Sequence, residues 1–100
     1  MFVENRLEKY KNIIMPIIER YLPDAKIILY GSRARGDFKG GSDIDIALDM
    51  GTTIDNKLMN SITWDLEDSD LPINFDIVDF VKMSEDMKKN IVRDGVIWKK

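Results

Sequence analysis

The hexapeptide Asp43-Ile44-Asp45-Ile46-Ala47-Leu48 alternates acid and oil at the start of an apolar run. Side chains along a β-strand point to opposite faces in turn. The pattern therefore specifies a strand with Ile44, Ile46 and Leu48 toward a core and Asp43 and Asp45 together on the other side. A strand that needed only burial would not carry two aspartates. Just before it, residues 31–42 form a glycine-rich loop, GSRARGDFKGGS, with a basic cluster of Arg33, Arg35 and Lys39.

The rest of the chain supplies elements for one α/β sheet domain spanning residues 1–100. Residues 3–22 read as a helix, with Val3, Leu7, Tyr10, Ile14, Ile17 and Tyr21 on one stripe and Ile18 beside it. Pro16 lies inside that stripe and is expected to kink or restart the helix. Lys26–Tyr30 reads as a short buried strand. Gly31–Ser42 is a loop with room for a helical turn at Ser32–Arg35, and Asp43–Leu48 is the second strand. Residues 55–68 form a helix that buries Leu58, Met59, Ile62 and Leu66 and leaves Trp64 on the far side, where it can anchor a partner. A third strand covers Asn74–Phe80. Ser84 caps a last helix that carries Glu85 and Asp86 in its first turn and Arg93 near its end. Gly95 suits the position just past that helix, and residues 96–98 add a short strand. Strands alternating with helices predict an α/β sheet with short connections.

Composition removes several chemistries. The 100 residues include no cysteine and no histidine. Disulfides, zinc sites built on those side chains, and Ser-His-Asp catalysis are therefore excluded. Net charge is −3, so stable nucleic-acid binding by this chain alone is not expected. No run reaches about 18 apolar residues, the length of a membrane span. The N-terminus is charged from the start, and a cytoplasmic protein is expected.

The acids need an explanation that burial does not give. Two unit charges about 4 Å apart repel by roughly 4 kcal/mol at an effective dielectric near 20. A hard divalent cation relieves that repulsion, and an all-carboxylate donor set suits Mg²⁺ or Mn²⁺. On the third strand, Asp76 shares a face with Val78 and Phe80. It can join Asp43 and Asp45 if the two strands are neighbours. Asp79 points the other way and reads as an ordinary surface residue. Gly31 lets backbone approach a ligand closely. The N–H groups after Ser32 can hold phosphate oxygens, with Arg33 adding charge. The loop is not a Walker A motif, because Asp37 follows Gly36. From Asp43, the positions an EF-hand requires hold Leu48 and Ile54.

Gly31-Ser32, ten intervening residues and Asp43-Ile44-Asp45 resemble the signature of the DNA polymerase beta-like nucleotidyltransferases. The fuller strings YGSRARGDFKGGSDIDIAL and DLPINFDIVDF resemble the minimal nucleotidyltransferases, and the resemblance runs from the first helix to GVIW. It implies a small mixed β-sheet with helices mainly on one side. It implies an enzyme that transfers a nucleoside monophosphate, AMP from ATP or the equivalent from another NTP, to an acceptor hydroxyl and releases pyrophosphate. By position, Gly31 and Ser32 match the phosphate-binding pair, with Arg33 beside them. Asp43, Asp45 and Asp76 match the catalytic acids that bind two Mg²⁺ ions, with Mn²⁺ as the substitute. Relatives of this size pair with a helical HEPN protein as toxin and antitoxin, which implies that a HEPN partner completes the site and that its tyrosine is the acceptor. The alternative is a non-catalytic nucleotide-binding subunit that neutralises a partner by contact.

Overall fold

A computed structural model describes residues 5–31, 34 and 43–100. The elements follow the order α1 (Asn5–Tyr21), β1 (Lys26–Tyr30), β2 (Ile44–Asp49), α2 (Asn56–Asp68), β3 (Phe75–Asp79), a 3-10 turn at Phe80–Lys82, α3 (Glu85–Asp94) and β4 (Val96–Lys99). The four strands form one mixed sheet in the order β3-β2-β1-β4. β1 runs antiparallel to β2 and β4, and β2 runs parallel to β3. The parallel pair requires a crossover, and α2 provides it.

The two sheet faces are unequal. Ile27, Leu29, Ile44, Ile46 and Leu48 pack with Ile14 and Ile18 of α1 and Ile62 and Leu66 of α2 in the main core. Ile28, Tyr30 and Ala47 lie on the opposite face, beneath Ile91 of α3 with Val78, Phe80 and Met87 around them. The expected arrangement, helices mainly on one side, is what the chain forms: α1 and α2 cover one face, and α3 covers part of the other.

Pro16 does not restart α1, one of the two outcomes expected of it; the helix runs unbroken from Asn5 to Tyr21. Proline removes the hydrogen bond to the carbonyl four residues back. That carbonyl belongs to Asn12, and both Asn12 and Pro16 are exposed. Water can take the place of the lost donor there, so the break is tolerated on the outer side of the helix. The centre of the buried stripe is Ile14 and Ile18, both fully buried, with Tyr10, Ile17 and Tyr21 at its margins. Val3 lies outside the described residues.

The two ends of α3 have different causes. Ser84 accepts the N–H of Met87 at 3.2 Å, the expected cap. Gly95 does not adopt the left-handed conformation that a glycine after a helix suggests; its φ is −72°. A Cβ there would meet Ile28 Cγ2 at 2.7 Å and Leu29 O at 3.3 Å, and would collide with the carbonyl of Ile91. Glycine is required at this position for the close approach of α3 to β1.

Candidate active site

β2 and β3 are neighbours, and their register sets the site. Asp45 stands directly opposite Asp76, and Leu48 opposite Asp79. On its other side Asp45 stands opposite Tyr30 of β1. A row Tyr30–Asp45–Asp76 therefore crosses three strands on one face. Adjacent strands are about 4.8 Å apart, close enough for the two carboxylates to repel each other. Asp43 precedes β2 and is exposed; the next residue, Ile44, donates its N–H to Asn74 O at 3.0 Å and so fixes the start of the parallel pair.

Gly31 ends β1 with φ +78°. Its α-carbon rests on the Asp45 side chain. A Cβ there would collide with Oδ2 of Asp45 and lie 3.1 Å from its Cγ. The chain then turns back, with the N–H of Ala34 donated to Gly31 O at 3.1 Å. Glycine thus serves two needs at one point, a left-handed backbone and room for a carboxylate. Ser32 and Arg33, expected to hold phosphate, lie outside the described residues, as does Arg35.

Tyr30 is the residue that sequence reasoning passed over. It is 9% exposed. Burial first, then the negative charges of Asp76 and Asp45, push its phenol up to about 12. The ring stays neutral beside the acids at any ordinary pH. One signal was available in the sequence: Tyr30 is the last strand residue before Gly31, in phase with Ile28 and out of phase with the main-core residues Ile27 and Leu29.

Asp79 is not a surface residue. It is 6% exposed, its Oδ2 accepts the N–H of Ile54 at 2.8 Å, and its Oδ1 has no hydrogen-bond partner among the described residues. The strand parity was correct, but that face of β3 is covered by the segment leading into α2.

Among the described residues the charged donors in the row are the carboxylates of Asp45 and Asp76, and carboxylate oxygens suit a hard cation. The structure brings Asp45 and Asp76 together; among the described residues no three acidic side chains converge as a metal site. One hollow adjoins the row and another lies at the start of the parallel strand pair. One, about 140 Å³, opens beside Tyr30 and Gly31 under α3. The other, about 540 Å³, is bordered by Asp43, Asn74, Phe75 and Glu67.

An oxygen-only donor pair on one sheet face, beside a glycine turn, places the chain among α/β domains suited to hard cations and phosphates. More specifically, the chain belongs to the family described as Polymerase beta, Nucleotidyltransferase, whose model matches residues 6–100. It is thus a nucleotidyltransferase-family enzyme. A Haemophilus influenzae protein, "Probable protein adenylyltransferase MntA", is 30% identical over 85 residues, covering 85% of this chain and 75% of the relative. A solved toxin–antitoxin structure with AMP-PNP superposes with a TM-score of 0.76 at 28% identity, covering 90% of this chain and 73% of the other. A complex of tri-AMPylated Shewanella oneidensis HEPN toxin with MNT antitoxin superposes with a TM-score of 0.72 at 25% identity, covering 93% and 72%. Among the described residues no helix is long and apolar enough to cross a membrane.

Proposed function

We propose that this chain transfers AMP from ATP to a hydroxyl of a partner protein of the HEPN type, acting as an antitoxin in the cytoplasm. The observation that carries the proposal is the register of Asp45 against Asp76, with Gly31 packed on the Asp45 carboxylate. The MntA relative and the AMPylated HEPN complex support the choice of AMP and of partner.

Asp43, Asp45 and Asp76 would hold the divalent ions, Mg²⁺ or Mn²⁺. When bound, such ions neutralise charge on the phosphate and on the leaving oxygen. The loop from Gly31 through Ser32 and Arg33 orients the triphosphate. The acceptor oxygen attacks the α-phosphorus; its bond to phosphorus forms as the bridging bond to the β-phosphate breaks, and pyrophosphate leaves. Asp76 takes the hydroxyl proton. Tyr30 keeps its own proton and adds no further negative charge where the triphosphate must enter. Catalysis rests on positioning and charge neutralisation.

The test mixes the chain with the product of the neighbouring gene, ATP and Mg²⁺, and weighs the neighbour by mass spectrometry. An increase of one or more AMP units, lost with Asp45→Asn, is expected. Stable complex formation with no mass change would overturn transfer and favour the binding subunit; the exposed Trp64, 74% accessible, is then the first contact to substitute.

A further inference from the structure

α1 and α3 place their charges as a helix prefers, and α2 does the reverse. A helix favours acids at its start and bases at its end. α1 has Glu8 in its first turn and Arg20 in its last. α3 has Glu85 and Asp86 first and Arg93 last. α2 has no base in its last turn and, past its cap Asp55, no acid in its first. It carries Lys57 at the start and Glu67 and Asp68 at the end, all three exposed. None of the three forms an ion pair with a described residue. Asp65 of the same helix does, since Arg20 and Tyr21 of α1 hold it. Both ends of α2 therefore carry charge set against its own dipole, with no described partner to offset it.

The same face carries Trp64, at 74% the most exposed large apolar side chain among the described residues. Lys57, Trp64 and Asp68 are two turns and then one turn apart, so they fall in one line, with Asn60 and Glu67 beside it. The stripe reads cation, amide, indole, acid, acid. Run antiparallel to a copy of itself, it meets its own complement. Lys57 of each copy faces the Glu67–Asp68 pair of the other. The two-fold axis then passes level with Ile62, two residues from Trp64. The two indoles sit about 6 Å apart along the helices, a separation at which aromatic rings pair. One patch used twice in this way closes the assembly at two copies.

We propose that the exposed face of α2 is the interface of a symmetric dimer of this chain, with Trp64 as its anchor and Lys57 paired to Glu67 and Asp68 across it. A central tryptophan supplies affinity, and the charges around it set the antiparallel orientation. The dimer also bears on the larger hollow. Glu67 is a wall of that hollow together with Asp43. Pairing brings the second copy's Lys57 to its rim, so each copy contributes a cation near the other's Asp43. The interface does not include the acid row and does not depend on AMP transfer.

Sedimentation equilibrium of the full chain from about 1 µM to about 500 µM, the range of a small interface, tests the pairing. A monomer–dimer equilibrium is expected, and salt should weaken it. Trp64→Ala should raise the dissociation constant at least about thirtyfold, the scale of an interface hot spot. Lys57→Glu should weaken the dimer at least about tenfold, because like charges then face each other twice. The double variant Glu67→Lys with Asp68→Lys should do the same. An equimolar mixture of those two charge variants should dimerise again, since each supplies what the other lacks. In dilute solution both should melt at or above the wild-type temperature, because each reversal suits the dipole of α2. Loss of the dimer is then not loss of the fold. A wild-type chain that stays monomeric throughout would overturn the interface. So would a dimer indifferent to Trp64→Ala or to the charge variants, or a mixture that fails to pair. A monomer that uses Trp64 only to hold a different protein would assign the face to that protein instead.

Discussion

Asp76 and Asp79, three residues apart on β3, face opposite sides of the sheet and do different work. Asp76 is exposed and stands across from Asp45. Asp79 is buried and holds the N–H of Ile54 at 2.8 Å. An odd separation along a strand makes this division unavoidable. It separates an exposed carboxylate facing Asp45 from a buried, hydrogen-bonded one within five residues of sequence.

Asp79→Ala should therefore lower stability without touching the chemistry. It leaves the Ile54 N–H without its acceptor in a buried setting, which costs about 1–3 kcal/mol. Urea denaturation should show that loss, and AMP transfer per folded molecule should stay at the wild-type rate. Loss of transfer in a folded Asp79→Ala protein would place Asp79 in the site.

Asp76→Asn and Asp45→Asn should behave in the opposite way. Asp76→Asn removes one of two facing negative charges, so in EDTA its thermal midpoint should hold or rise. Mg²⁺ should raise the wild-type midpoint, by its preferential binding to the folded state, and should have little effect on either variant. Transfer should fall at least about a hundredfold, in line with the loss of electrostatic stabilisation of a transition state. A Mg²⁺-induced rise equal to wild type in both variants would show that the ion binds elsewhere.

Gly31→Ala should damage the site more than the fold. The left-handed backbone costs a non-glycine residue roughly 1–2 kcal/mol. In addition, the new methyl group would occupy the space of Asp45 Oδ2, so the carboxylate must move. A variant with a near-native circular dichroism spectrum and transfer reduced more than about tenfold is expected. Wild-type transfer would show that the contact is not needed.

Tyr30 predicts a limb of alkaline instability. Its phenol is pushed up to about 12 from an ordinary value of 10.0 by burial and by Asp76 and Asp45. Below pH 10 both folded and unfolded chains keep the proton, and the contribution is at its full value. As pH rises from 10 toward 12 the unfolded chain releases its proton first, so stability falls through that window. In EDTA, wild-type and Tyr30→Phe proteins should diverge across this range, with the wild type losing more. Parallel denaturation curves would remove Tyr30 from the titration.

The strands and the amphipathic helices were legible in the sequence, because each depends on a period of two or 3.6 that neighbouring residues impose on one another. The alternation of Asp43, Ile44 and Asp45 already separated a core face from an acid face, and the glycine at position 31 already marked a special backbone. What lay beyond the sequence were distances between elements. The parallel pairing that sets Asp76 against Asp45, the burial of Asp79 under the segment before α2, and the closeness of α3 to β1 that requires Gly95 all arise where segments far apart in the chain meet. Pro16 makes the same point in reverse: its local preference for a break yielded to a helix held by Ile14 and Ile18, with the broken hydrogen bond turned toward water. Local sequence specifies which side chains share a face; only packing specifies what that face meets.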